Sequence, residues 1–171
     1  MALIKRQKPN DSIKKFESSA HHKYQAGLTL INGGDSTTGI EQLGYAAEML
    51  LKSAYFRFMK SRIGLQRITS VITGQMLRDA AREGMRLHIR YDPESYHSLL
   101  FWALLLAAIR KDYIQPLPPG IENEMLIRMR DLHRLWMIEH RYQNKTYGST
   151  DVARMDVNVT WLLEHHEQLW R

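Results

Sequence analysis

The chain has no cysteine among its 171 residues, which excludes disulfides, thiol nucleophiles and thiolate-bound metals. It also lacks a long hydrophobic run. The longest, "LLFWALLLAAI" from Leu99 to Ile109, falls well short of the roughly 20 residues that a membrane span needs. The N-terminus, "MALIKRQKPNDSIKK", is basic but carries no apolar segment of the kind a secretory signal has. There are no internal repeats, low-complexity tracts or dividing linkers. These absences predict a cytoplasmic protein with one domain over residues 11–171, preceded by a basic, flexible stretch over residues 1–10.

What is present fits a globular chain. Hydrophobic residues make up 44% and charged residues 25%, enough for a core that needs no staples. The net charge of +6 is unevenly spread. Residues 1–15 carry five basic residues against one acidic, residues 52–90 nine against two, and residues 128–145 five against two. Concentrated positive charge favours an anionic partner such as RNA or nucleotide; the other reading is a solvated face that keeps the protein soluble.

Apolar spacing is helical nearly throughout, and no segment reads as a strand. Ile13, Phe16, Ala20, Tyr24, Gly27, Leu28 and Ile31 form one face of a first helix, ended by "NGGDSTTG". Thr37 or Thr38 caps a second helix with Ile40, Leu43, Ala47, Leu50, Leu51, Ala54 and Phe58 in line. A third runs from about Thr69 to His88, with Leu77, Ala81, Gly84 and His88 on one side and Arg78, Arg82 and Arg86 opposite. Asp92 and Pro93 look like the start of a fourth. Between Leu99 and Ile109 that helix is apolar all round, so it is either central to the domain or covered by a second copy. After "QPLPPG" a long helix spans about Ile121 to Tyr142, and Ser149 caps a last one. The fold class is all-α, an antiparallel up-and-down bundle of five to six helices.

Several motifs fail on inspection. "GDSTTGIE" has the glycine spacing of a phosphate loop, but Ile40 and Glu41 stand where Lys and Ser/Thr belong, so it reads as a turn and a cap. "ESYH", Glu94 to His97, is a single Glu-x-x-His, and a di-iron bundle needs two with further carboxylates. His166 continues an apolar stripe and reads as a packed histidine. No cofactor and no metal is expected.

The stretch "RDLHRLWMIEHRYQ" offers more. At helical spacing His133 and His140 fall in line with Met129 and Trp136, while Arg130, Arg134 and Arg141 lie about 100° round. That puts imidazoles beside a basic groove, or simply makes the wet side of a helix whose dry side is Trp136. The ladder of Arg78, Arg82 and Arg86 can meet successive phosphates, or be a solvated face partly neutralised by Asp79 and Glu83.

Three pieces carry a family resemblance. "YAAEMLLKSAYF" resembles the Glu-x-x-x-Lys signature of HEPN domains, with Glu48 and Lys52 in those places. "YHSLLFWALL" looks like that family's His-x-Leu-x-x-Leu segment, and "LWMIEHRY" is similar to the Trp-…-Arg-Tyr ending of the long helix in nucleotidyltransferase-associated members. The order of the pieces covers roughly residues 11–171. The resemblance implies a bundle that dimerises and, in many members, a metal-independent ribonuclease site built on Arg-x4-6-His across the dimer. There the Arg would bind the scissile phosphate and the His act as general acid or base. Arg82–His88, Arg90–His97, Arg128–His133 and Arg134–His140 all fit the spacing. Arg134 and His140 have the best setting and are the candidate catalytic pair. Leu135 follows Arg134 where the family usually has Asn, Asp or His, a departure that bears on catalysis.

The sequence thus predicts a homodimeric domain binding RNA or nucleotide through Arg78, Arg82, Arg86, Arg130 and Arg141. The dimer would form through the Leu99–Ile109 helix or the long helix beside it, with exposed aromatics such as Trp161 adding apolar surface. The reading of a different class is a non-catalytic interaction module, pairing with a nucleotidyltransferase or antitoxin partner.

Overall fold

The computed structural model describes residues 13–62, 72–90, 96–136 and 146–171. They form six helices: α1 (Ile13–Asn32), α2 (Ser36–Arg62), α3 (Gly74–Arg86), α4 (Leu99–Asp112), α5 (Pro119–Leu135) and α6 (Ser149–Trp170). No strand occurs among the described residues. The expected basic stretch over residues 1–10 lies outside them.

The chain is an all-α bundle organised around α2. Helices α2, α4, α5 and α6 pack in a ring, each against the next, and α1 lies along α2. Every residue of the expected stripe from Ile40 to Phe58 on α2 is buried, and so are side chains on its other faces. At roughly 1.5–3 kcal/mol per fully buried large aliphatic or aromatic side chain, this helix supplies much of the apolar driving force. The approach of α1 to α2 depends on two glycines. A Cβ on Gly27 would sit 2.9 Å from the Gly39 carbonyl oxygen, and one on Gly39 would sit 2.5 Å from Ile31 Cγ1. Any side chain there would push the helices apart.

Local chemistry sets the helix ends. Gly34, at φ +92°, closes α1, with its N–H donating to Ile31 and that of Asp35 to Leu30. Asp35, rather than Thr37 or Thr38, caps α2: its carboxylate accepts from the Thr38 N–H at 3.0 Å. "GDSTTGIE" is therefore a turn and a cap. Thr73 caps α3, which starts at Gly74. His88 was expected on the buried side of α3, but it lies beyond the helix end at φ +56° and is exposed.

The start of α4 differs from expectation. Tyr96 and His97 form a turn, Ser98 caps the helix, and Asp92 and Pro93 lie outside the described residues. The Trp102 indole N–H donates to the Tyr96 carbonyl at 3.0 Å and pins that turn. Of the two placements open for Leu99–Ile109, the first holds: α4 is largely buried within the chain's own domain. Trp161, expected to add exposed surface, is buried as well, stacked on His165. The apolar surplus offered as the motive for a dimer is thus taken up inside one chain. Helix α6 begins at Ser149 with Gly148 in the cap position, its N–H held by the Asp151 carboxylate.

Helix α5 ends at Leu135, and Trp136 leaves helical geometry at φ −123°, ψ 64°. The expected continuation to Tyr142 is not helical at Trp136, and His140 and Arg141 lie outside the described residues. The helical face that carries Arg130 and Arg134 is therefore followed only as far as Leu135.

Candidate functional site

Trp136 settles the dry side of the "RDLHRLWMIEHRYQ" stretch. It is 3% exposed, seated over Gly44 and edge-on to Tyr45 at 5.5 Å. The wet side turns into a groove between α5 and α6, of about 620 Å³, lined by Glu124, Ile127, Arg128, Arg130, Asp131, Arg134 and Asn158. A small ligand or a strand of side-chain width fits such a volume.

The floor of the groove is a connected polar seam. Arg128 donates to Glu124 at 2.6 Å and to Asn158 at 3.0 Å, and lies over the Trp161 ring. Asn158 donates on to Asp131, which also pairs with Arg154. The Arg128 hydrogen bond holds the Glu124 carboxyl below the usual range, and the Arg154 hydrogen bond does the same for Asp131. Both carboxylates are therefore ionised and already occupied. Arg130 and Arg134 are one turn apart and exposed; no ion pair within contact distance holds either among the described residues, although the Arg134 charge also helps keep Asp131 ionised. An anion entering the groove meets two exposed guanidinium groups above a floor whose carboxylates are paired.

The α3 ladder is different. Arg82 pairs with Asp79 at 3.1 Å, and Arg86 with Glu83 at 2.7 Å and Asp112 at 2.6 Å. Arg78 has no acid partner among the described residues and is bonded instead to Gln75. All three point to solvent, opposite the buried Ala80, Ala81 and Gly84, but most of their charge is matched locally.

A second cluster joins residues far apart in sequence. Glu48 and Lys52 are both buried and linked at 2.6 Å, one turn apart on α2. His97, from the turn before α4, places Nδ1 2.9 Å from Glu48 Oε2, and Lys52 Nζ lies 5.3 Å from the centre of the Trp102 ring. Burial alone would raise the Glu48 carboxyl. The His97 hydrogen bond and the Lys52 and His97 charges outweigh it and hold Glu48 below the carboxylate range. A buried carboxylate thus orients a half-exposed imidazole, an arrangement that can fix one tautomer for proton transfer. The sequence named Glu48 and Lys52 together, by a family resemblance, and His97 apart from them, and could not show that the three meet.

A third cluster imitates a hydrolase triad. Ser53 Oγ lies 2.7 Å from His166 Nε2, and His166 Nδ1 lies 3.6 Å from Glu17 Oε1. Yet Ser53 is fully buried and also bonded to the Leu50 carbonyl, so no substrate can reach it. Burial lowers the His166 pKa, keeping the ring neutral at pH 7. This is a packed histidine, as the apolar stripe implied.

The candidate residues therefore separate. Arg130 and Arg134 share the groove; Arg78, Arg82 and Arg86 lie on α3; His140 and Arg141 are outside the described residues. Glu94 of the Glu-x-x-His is outside them too. Among the described residues no group of His, Asp and Glu could hold a metal ion, and no helix is long and apolar enough to cross a membrane. No family model matches the chain, nor does any curated protein or solved structure.

Proposed function

We propose that the protein is a HEPN-like helical domain that binds RNA or nucleotide phosphate along the α5–α6 groove. The observation that carries this reading is the pair of exposed guanidinium groups, Arg130 and Arg134, held in no close ion pair among the described residues, above a floor whose carboxylates are already paired. Arginines one turn apart can grip one phosphate from two sides with charge-assisted hydrogen bonds. Phosphate contacts of this kind position a chain without reading its sequence.

In the catalytic form of this reading Arg134 steadies charge on the scissile phosphate, and His140 transfers the proton without a metal. His97, oriented by Glu48, is a second imidazole with the right chemistry and belongs to the Arg90–His97 pair. The non-catalytic alternative, an interaction module, draws on Ile127, an exposed apolar side chain in the same groove.

The test is single-stranded RNA binding and cleavage by wild type, Arg130→Gln/Arg134→Gln, His140→Ala and His97→Ala, with a chelator present and each variant checked by circular dichroism. Binding lost in the double arginine variant supports the groove. Cleavage lost in one histidine variant with affinity retained identifies the acid–base group, because such a group acts mainly in the transition state. Wild-type protein that neither binds nor cuts RNA leaves the interaction module.

A further inference from the structure

The α5 side of the groove changes character along its length. Glu124, Ile127, Arg130 and Arg134 follow one another at helical steps of three, three and four residues. They make a single stripe, with an acid at one end and two cations at the other. Between them Ile127 is 56% exposed, an apolar side chain that the core does not use. At about 1.5 Å of rise per residue, Arg130 and Arg134 stand roughly 9 and 15 Å beyond Glu124.

Both acids of the groove are paired, but they differ in what remains to them. The two Asp131 oxygens are taken by Arg154 and Asn158. Glu124 instead receives both Arg128 bonds on Oε1, from Nε at 3.0 Å and Nη2 at 2.6 Å, and its side chain is 44% exposed. The Trp161 indole supports the same carboxylate. An ionised carboxylate has about four acceptor positions, so Glu124 keeps acceptor capacity after these partners are counted. It is also held still, because Arg128 is fixed in turn by Asn158 and lies over the Trp161 ring. An ionised, restrained acceptor at the edge of solvent is ready for the N–H groups of a ligand, at little cost in entropy.

We propose that the groove selects guanine: Glu124 receives the N–H groups of the base's pairing edge, Ile127 lies against the base and ribose, and Arg130 and Arg134 hold the 5′-phosphates. Acceptor, apolar step and cations stand in the order of a nucleotide followed from pairing edge to phosphate. The roughly 9 Å from Glu124 to Arg130 matches the reach from the edge of a purine, through ribose, to its first 5′-phosphate. Phosphate contacts alone need neither the acid nor the exposed isoleucine. Guanine is the base that fits, because its pairing edge presents two adjacent N–H donors. Adenine and cytosine set one amino group beside a ring-nitrogen acceptor, and uracil flanks its single N–H with two carbonyls that a carboxylate repels. A free guanine nucleotide and a guanosine within single-stranded RNA share this chemistry. The inference rests on phosphate binding in this groove and adds the identity of the base.

Calorimetric titration with GTP, ATP and UTP, and anisotropy of short uridine-rich RNAs carrying one central G or A, test it on wild type, Glu124→Gln and Ile127→Ser, with a thermal melt of each. Wild type should favour guanine about ten-fold, the scale of one charge-assisted hydrogen bond. A preference among the triphosphates identifies a free nucleotide as the ligand, and one confined to the RNAs identifies RNA. Glu124→Gln should bring the guanine-to-adenine ratio close to one while phosphate-dependent affinity persists. Ile127→Ser, at an exposed position, should melt as wild type does and bind guanine ligands several-fold more weakly. Wild type that binds all bases equally overturns the proposal and leaves phosphate binding standing, whereas failure to bind any probe removes both. A guanine preference that survives in folded Glu124→Gln also overturns it. Should Glu124→Gln melt clearly lower, Ile127→Ser decides, and unchanged guanine affinity there sinks the proposal.

Discussion

Trp136 rests its indole against Gly44, where a single added Cβ would lie 2.2 Å from the ring nitrogen. This contact anchors the end of α5 to the central helix and thereby sets the position of Arg134, two residues earlier.

Gly44→Ala separates packing from propensity. Helix propensity alone would make alanine stabilising by about 1 kcal/mol. Displacing a buried tryptophan costs about 1–3 kcal/mol through overpacking. We expect a net loss in melting temperature, with weaker tryptophan burial seen in fluorescence. A variant more stable than wild type would mean that Trp136 has room to move aside.

Glu48→Gln leaves the buried Lys52 ammonium without its counter-charge. Removing one partner of such a pair costs about 3–5 kcal/mol, whereas His97→Ala, on the half-exposed side, should cost clearly less. Urea unfolding of both variants measures the difference. The folded Glu48 carboxyl lies below its ordinary 4.5. Its contribution is therefore complete above that value and is lost as pH falls through the lowered one.

His166 acts at higher pH. Burial holds the folded imidazole below 6.5, so between that lowered value and 6.5 the unfolded chain binds more protons. Stability should fall as pH drops below about 6.5, the ordinary imidazole value. Facing groups temper the slope: Glu17 favours the protonated ring, while Arg57 and His21 oppose it. In His166→Gln the melting temperature should change less between pH 7 and pH 5 than in wild type. An equal slope in the two proteins would point to other groups.

The groove and the ladder should differ in salt dependence. Losing two phosphate contacts in Arg130→Gln/Arg134→Gln should reduce the log–log salt slope of single-stranded RNA binding by about 1.4. Neutralising Arg78, Arg82 and Arg86 together should reduce it by less, because Arg82 and Arg86 already serve Asp79, Glu83 and Asp112. Fluorescence anisotropy from 50 to 200 mM salt distinguishes them, and a larger change in the ladder variant would place the main contact on α3.

The all-helical class, the stripe from Ile40 to Phe58 and the packed His166 could be read from the sequence, because apolar period and turn chemistry are local and strong. Helix ends were less legible: Asp35 displaced Thr37 and Thr38, and Ser98 displaced Asp92, since several capping residues competed within a few positions. Spacing also extended α5 past Trp136, where a close fit to Gly44, distant in sequence, decides the chain's path. Tertiary structure alone paired Glu48 with His97, Ser53 with His166 and Arg86 of the ladder with Asp112, and brought Arg130 and Arg134 to the rim of one groove, exposed and in no close ion pair among the described residues. A charge's worth depends on which neighbours the fold brings within about 4 Å, and no period along one helix carries that information.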